Sequence, residues 1–556
     1  MFAAQDMARQ PGAARWAGAD WLALALILVV AMAVRLAFFT GLFGSDETYY
    51  STQAMSIVAG NWQLSDYIGD LRLGQNGPMA VFVWLFGPSI AALNTWPFLC
   101  SVGEIALVYY VGRTAWGMRA AVLSSLFVAF LPLHIHYAGR LMADPPLAFF
   151  ITLSFVLFFL GERRNSAPWY FAAGIAAGYV FWIKEVVVIF GAVFGLYALA
   201  TWTWKSRRVW FVAGAVVVLA ANLVTFWMLA DDPLYIFKVI ARTVERNYID
   251  NPASYVNTSP RYYFSLMLTD LRDAWIMPYA ALSALTIAAV QLVRKGKLNA
   301  PLSYILIWAV GLVAVFSFTV ISVRPVMFIA KQANYMTIFA APLCLLAGYA
   351  AMRLRGAALA AVMIVYISGG IVLAALEQQS VRVFTANSKA ALAFARSYND
   401  APVYGTVNAA RIAATVAKIE GKPVALVHQI RDLVPVNTIA RGRDANATAT
   451  PPFVYAIVDP QTSVMGRNRV ATPADVPLCW GKPRRLERAG LGLIGEAVLA
   501  LRIQPDGLPK FLNVWLNRYI AHPLRPPQSA YVFTVPVVME GSPPEPRSAC
   551  DFPPLA

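Results

Sequence analysis

Three short stretches of the chain concentrate the residue types that could do chemistry. The first, Gly44-Ser45-Asp46-Glu47-Thr48-Tyr49-Tyr50, sets two carboxylates side by side. Neighbouring side chains on a helix do not share a face, so one can point into a cavity while the other pairs nearby. A partly desolvated Asp46 could take a proton from an attacking hydroxyl. The same residue equally suits the N-cap of a helix over Thr48 to Val58. The second stretch runs from His134 through His136 and Arg140 to Asp144-Pro145-Pro146. Two imidazoles, a guanidinium and a carboxylate could hold a phosphate or, with Glu47, a divalent metal cation as cofactor. Asp144 before two prolines is also a natural helix start, and Arg140 stands four residues upstream, where it could pair with it. The third stretch leads from Arg324 to Lys331-Gln332-Ala333-Asn334-Tyr335. Its cations suit the neutralisation of a leaving phosphate, or snorkelling to lipid head groups. Lys184-Glu185 adds a charged pair between apolar runs and reads as a structural ion pair.

The elements that must position these residues follow from hydropathy. Of 556 residues 59% are hydrophobic and 13% charged, far more apolar surface than one soluble core needs. A hydrocarbon core about 30 Å thick takes roughly 20 apolar residues per helical span. Runs of that kind predict about eleven spans, at 20–42, 95–112, 120–136, 144–161, 168–183, 186–204, 208–230, 273–293, 301–321, 334–352 and 356–376. The run 78–93 is short and broken by Pro and Gly, so a re-entrant or interfacial helix is expected there. The apolar stretch from Trp21 is longer than a signal-peptide core and reads as the first span.

Lys and Arg sort the loops into two sides. Arg113/Arg119, Arg163/Arg164, Lys205/Arg207/Arg208, Arg294/Lys295/Lys297 and Arg353/Arg355 alternate with loops poor in such residues, and Arg9 and Arg15 fall on the basic side. That side is expected to be cytoplasmic, which places 1–19 inside. The loops 43–77, 134–143, 231–272 and 322–333 then lie outside a bacterial-type inner membrane. After Leu376 hydropathy drops, and short helices (388–398, 409–420) alternate with strands (402–406, 453–458). Residues 377–556 are therefore expected to form an external α/β soluble domain on an α-helical polytopic membrane protein. Cys479 and Cys550 both fall in that domain, where a disulfide is permitted. The net charge of +16 comes partly from the basic loops and calls for no nucleic acid.

The three clusters, in this order and on one side, resemble the GT-C superfamily of polyprenyl-phosphate-dependent glycosyltransferases. The resemblance is in particular to the group that contains the protein O-mannosyltransferases and the lipid A aminoarabinose transferase. The matching residues are Asp46-Glu47-x-Tyr49-Tyr50, Gly139-Arg140-x-x-x-Asp144-x-Pro146-Leu147 and Lys331-x-x-x-Tyr335. The resemblance covers the membrane part, 20–376. It implies inverting transfer of a sugar from a polyprenyl monophosphate to an acceptor hydroxyl on an envelope glycan, glycolipid or protein. It gives Asp46 the role of base with Glu47 beside it, and puts Arg140, Asp144, Lys331 and Tyr335 at the donor phosphate. Candidate metal ligands are Glu47, His134, His136 and Asp144. Two departures stand out. Gln75-Asn76-Gly77-Pro78 lacks the charge the family often carries before proline, and Asn334 replaces an arginine common before the tyrosine. The competing readings are a transporter or flippase of lipid-linked saccharide, and a polymerase or ligase using a diphosphate donor.

Overall fold

A computed structural model describes residues 16–202, 205–245, 258–324, 326–398, 400–422, 427–430, 453–463, 472–476, 480–500 and 525–536. Its internal contacts divide the chain into two units. The first comprises Met1–Phe39, Ser56–Gly87 and Ala91–Ala375; the second comprises Thr40–Met55, Pro88–Ile90 and Leu376–Ala556.

The first unit is helical. Among the described residues eight helices are long and apolar enough to cross a membrane: Gly18–Ala37, Ile90–Trp116, Asp144–Arg164, Ser206–Ala230, Met277–Lys295, Ala300–Phe318, Ala333–Ala351 and Gly356–Ser397. A ninth candidate is bent by 61° between Met118–Ala129 and Pro132–Ala138. The run 120–136, expected as one straight span, is thus broken, because Pro132 lacks the amide hydrogen a continuous helix needs there. Two shorter apolar helices, Ala167–Ile183 and Ile189–Thr201, occupy the expected spans 168–183 and 186–204. Nine of the eleven expected spans thus have a helix or bent pair long and apolar enough to cross a membrane among the described residues, and the other two runs form helices that fall short of that length. The expected re-entrant segment 78–93 is divided. Pro78 lies inside a helix over Leu73–Phe86, and Gly87, at φ +79°, ends it before Ile90 opens a helix of 27 residues. Trp84 and Phe86 on that first piece are exposed, as lipid-facing side chains would be.

Close helix packing fixes where the charged residues emerge. A Cβ on Gly174 would lie 2.0 Å from the Phe211 carbonyl oxygen, and one on Gly214 2.2 Å from that of Phe171. Only glycine lets these two backbones approach so closely. The Ala167–Ile183 helix so anchored ends at Lys184, whose extended backbone turns the chain into a 3₁₀ segment starting at Glu185. The expected outer loop 322–333 begins as a hairpin of β1, Val320–Val323, and β2, Val326–Phe328.

The second unit carries a five-stranded mixed sheet. Its strands are β3, Val403–Gly405; β4, Val427–Gln429; β5, Phe453–Val458; β6, Arg484–Arg485; and β7, Tyr531–Pro536, in the order β4-β3-β5-β7-β6. β3 is parallel to both β4 and β5, while β7 runs antiparallel to β5 and β6. The Val407–Glu420 helix connects β3 to β4. It is capped by the Thr406 hydroxyl, which accepts from the Ala409 amide. Its core joins Ala390, Ala391 and Ala395 to Val403, Ala409, Ala413, Ile457 and Val532. The short helix expected at 388–398 proves to be the end of a 42-residue helix, Gly356–Ser397. No proline or glycine pair interrupts the sequence where the apolar run gives way to polar residues, so the helix continues across the change in hydropathy.

Candidate functional site

Within the first unit, four charged groups gather around one tyrosine. Asp144 opens its helix and is completely buried. Its Oδ1 accepts from Lys184 Nζ at 3.3 Å and from Asn334 Nδ2 at 2.9 Å. Its Oδ2 is buried with no hydrogen-bond partner. Glu185 turns the other way and takes a two-pronged pair from Arg72, with Nε at 3.2 Å and Nη2 at 3.1 Å. Lys184 Nζ sits 4.4 Å from the centre of the Tyr335 ring. Arg72, Lys184, Glu185 and Asp144 all act electrostatically at the Tyr335 phenol. The adjacent Lys184 and Glu185 therefore do not pair with each other, as the sequence suggested, but with Asp144 and Arg72. Extended backbone at Lys184 sends successive side chains to opposite sides.

Lys331 is different in kind. It is buried, and its Nζ donates to the carbonyl oxygens of Ile329 at 3.0 Å and Thr258 at 3.4 Å, with the Phe328 ring 5.4 Å away. No carboxylate pairs with it among the described residues. Burial pushes its ammonium down to about 8. A buried cation held only by carbonyl dipoles is poised for an anion.

Arg140 does not pair with Asp144, contrary to expectation. Its Nη1 meets His136 Nε2 at 3.1 Å and its guanidinium lies over the Tyr137 ring. The cause is a left-handed residue between them, Leu141 at φ +56°. Asn94 fixes that turn by accepting from the Leu141 amide and donating to the Ala138 carbonyl. A continuous helix would have stacked residues four apart; this turn separates them.

His134 belongs to an interior network. Arg35 Nη2 lies 2.8 Å from His134 Nδ1, and His134 Nε2 lies 2.8 Å from Glu104 Oε2. A guanidinium can only donate, so Nδ1 accepts and Nε2 carries the proton toward Glu104. Ser101 and Thr152 complete the network. Neither Glu104 nor Arg35 stood out in the sequence reading. The signal available was a lone carboxylate and a lone guanidinium inside apolar spans.

In the second unit, Asp46 is the first residue of the Asp46–Val58 helix, so the helix expected from Thr48 starts two residues earlier. Glu47 is completely buried. Its Oε1 accepts from the backbone amides of Phe43, at 2.7 Å, of Gly44, and of Ser45, at 3.0 Å. The carboxylate thereby folds the loop back on itself, while Oε2 is buried without a hydrogen-bond partner.

The candidate metal ligands do not gather. His134 is engaged by Glu104 and Arg35, His136 by Arg140, and Asp144 by Lys184 and Asn334. Among the described residues no three His, Cys, Asp or Glu side chains are placed to share an ion. These residues therefore do not fit a divalent cation as a set. Cys100 and Cys344 are buried free thiols; Cys479 and Cys550 lie outside the described residues.

Several known proteins share part of this chain's sequence or its fold. Residues 52–242 match the family model described as dolichyl-phosphate-mannose-protein mannosyltransferase, a span that holds Arg140, Asp144 and Lys184 but begins after Glu47. A putative mannosyltransferase, YkcB of Bacillus subtilis (strain 168), is 26% identical over 136 residues, 24% of this chain. The match spans only 19% of that relative's length. The crystal structure of ArnT from Cupriavidus metallidurans bound to undecaprenyl phosphate superposes with a TM-score of 0.56 at 16% identity, covering 95% of this chain and all of that one. The apo form of the same protein gives 0.53 at 17% identity, over 81% of this chain and 94% of that one. The likeness to these solved structures holds at the level of fold, and the chain is a multi-pass membrane protein.

Proposed function

We propose that the chain is a glycosyltransferase that moves a sugar from a polyprenyl monophosphate to an acceptor hydroxyl at the outer face of a bacterial-type inner membrane. The observation that carries the reading is Lys331, a buried ammonium with carbonyl partners only. Around the same helix starts, Lys184 and Arg72 are already balanced by Asp144 and Glu185. An added phosphate would therefore find its counter-charge at Lys331, with Arg140 as the second cation and Tyr335 and Asp144 ordering the cradle. The fold likeness to a protein crystallised with undecaprenyl phosphate supports a lipid phosphate as that anion. The basic last turns of Ile90–Trp116, Asp144–Arg164 and Met277–Lys295 support the inside-facing assignment of their ends.

In the proposed step the acceptor oxygen attacks the anomeric carbon while Asp46 accepts its proton. The bond from that carbon to the phosphate oxygen breaks, and its electron pair leaves on the lipid phosphate. Attack from the face opposite the leaving group inverts the carbon. Lys331 neutralises the charge that builds on the phosphate, a contribution that grows as the bond breaks. Glu47 holds the loop that carries Asp46, and no step is routed through a metal. The acceptor class is an envelope glycan, a glycolipid or a protein.

The purified full-length protein in lipid nanodiscs should release free polyprenyl phosphate from monophosphate donors and leave the matching diphosphate donors untouched. Translocation of intact donor in liposomes without release of lipid phosphate would instead identify a transporter.

A further inference from the structure

The sheet of the second unit has a topological switch point. From β3 the chain runs through the Val407–Glu420 helix to β4 on one side, whereas β5 lies parallel to β3 on the other. In open α/β sheets, ligands settle in the crevice beyond the carboxyl ends of two such strands. Here those ends are Gly405-Thr406 and Val458-Asp459. A polar seam joins them: Thr406 bonds Thr462 at 2.8 Å, Thr462 donates to Asp459 Oδ2 at 2.6 Å, and Asn387 Nδ2 donates to Asp459 Oδ1 at 2.7 Å. At this edge the helix that follows β3 presents Asn408, which is 1% exposed.

What Asn408 holds is the chain's own acidic loop. Its Nδ2 donates to the Phe43 carbonyl at 2.6 Å, and its Oδ1 accepts from the Ser388 hydroxyl at 2.7 Å. The Phe43 carbonyl, which can only accept, fixes which way the amide faces, and the Ser388 hydroxyl holds its other end. The Phe43 ring stacks on Phe384 at 4.5 Å, and Arg411 lies over the Tyr49 ring at 4.9 Å. Gly44 adopts φ +93°, and a Cβ there would fall 2.1 Å from Asn408 Nδ2. Only glycine fits on both counts. A continuous path thus runs from Ser388 through Asn408 to the Phe43 carbonyl, and the Gly44 amide of that same peptide donates to Glu47.

We propose that the switch-point edge of the α/β unit is the seat of the loop 43–47, and that Asn408, oriented by Ser388, is a positioning residue for Asp46. Where other doubly wound sheets take a small molecule, this one takes a segment of its own chain. The inference rests on the reading of Asp46 as base.

The test uses the full-length protein in nanodiscs with the polyprenyl-monophosphate sugar it turns over. Asn408→Asp keeps the shape but sets an acceptor against the Phe43 carbonyl. It should lower kcat about a hundredfold, since displacement of about 1 Å suffices for that, and leave donor KM within about twofold. Amide hydrogen exchange at Phe43, Gly44 and Ser45 should accelerate, while binding of polyprenyl phosphate alone is retained, which reports an intact membrane unit. Ser388→Ala should follow in the same direction with smaller effect. In the Asp46→Asn background, Asn408→Asp should cost nothing further. Wild-type kcat in Asn408→Asp, or loss of kcat with amide exchange at 43–45 unchanged, would overturn the proposal. A purely additive double variant would do the same. If Asp46→Asn itself retains turnover, the role of Asp46 as base fails, and exchange at 43–45 in Asn408→Asp still decides whether the loop is seated there.

Discussion

A buried ammonium with no carboxylate beside it opposes folding, and Lys331 is such a group. Its retention makes sense when an anion completes it. Because burial lowers its ionisation to about 8, the charge is present at neutral pH and is lost as pH rises through that value. Affinity for a phosphate anion should therefore be flat below about pH 7 and fall above pH 8. Lys331→Met should raise donor KM about tenfold, a loss of about 1.4 kcal/mol, and abolish that pH step. The same substitution removes a buried charge, so thermal unfolding in detergent should show stability unchanged or improved. A variant that bound donor normally would deny Lys331 its role. The two carboxylates of the acidic loop divide more sharply than their adjacency suggests. Glu47 is buried against three amides and Asp46 opens the helix.

At the scale of elements, the bent span decides where His134, His136 and Arg140 lie. Pro132 breaks the helix, and the short Pro132–Ala138 helix then carries His134, His136 and, just beyond, Arg140. Its position is set by two polar anchors inside the helical unit. One is Asn94, which clasps Ala138 and the left-handed Leu141. The other is the chain Arg35–His134–Glu104–Thr152, all four buried, which ties four helices together. Removing one member of a buried charged set leaves the rest uncompensated. Glu104→Ala should therefore cost about 3 kcal/mol or more, read by thermal or denaturant unfolding in detergent, and Glu104→Gln, which also removes the charge, should be clearly destabilising too, though less because its amide keeps hydrogen bonds to His134 and Thr152. Equal, small losses in both would mean that Arg35 is satisfied elsewhere.

At the scale of the whole molecule, much of the architecture was legible because the membrane imposes a simple rule. Length and hydropathy alone located nine of the eleven expected spans as helices, or a bent pair, able to cross a membrane, and overcounted at 168–183 and 186–204, where the helices are shorter. The bend at Pro132 and the continuation of the last apolar helix to Ser397 were not legible. The first depends on how neighbours repack a broken helix; in the second a change of hydropathy carries no change of structure. The candidate site was legible as residue types and not as pairings. Asp144 and Lys331 stand out by charge and position and Tyr335 through the family resemblance, but the partner of Asp144 is Lys184, forty residues away, and Arg140 is turned aside by one backbone angle. Least visible was the grouping of Thr40–Met55 with Leu376–Ala556. A contact between Phe43 and Asn408 leaves no local pattern in either segment.

The central claim, that Asp46 takes the proton of an acceptor hydroxyl during transfer from a lipid monophosphate, is tested most directly by Asp46→Asn. The substitution keeps size and removes basicity. Single-turnover kinetics with a polyprenyl-monophosphate sugar should show a loss in kcat of about a hundredfold or more, with affinity for polyprenyl phosphate unchanged. Turnover within a few-fold of wild type would contradict it.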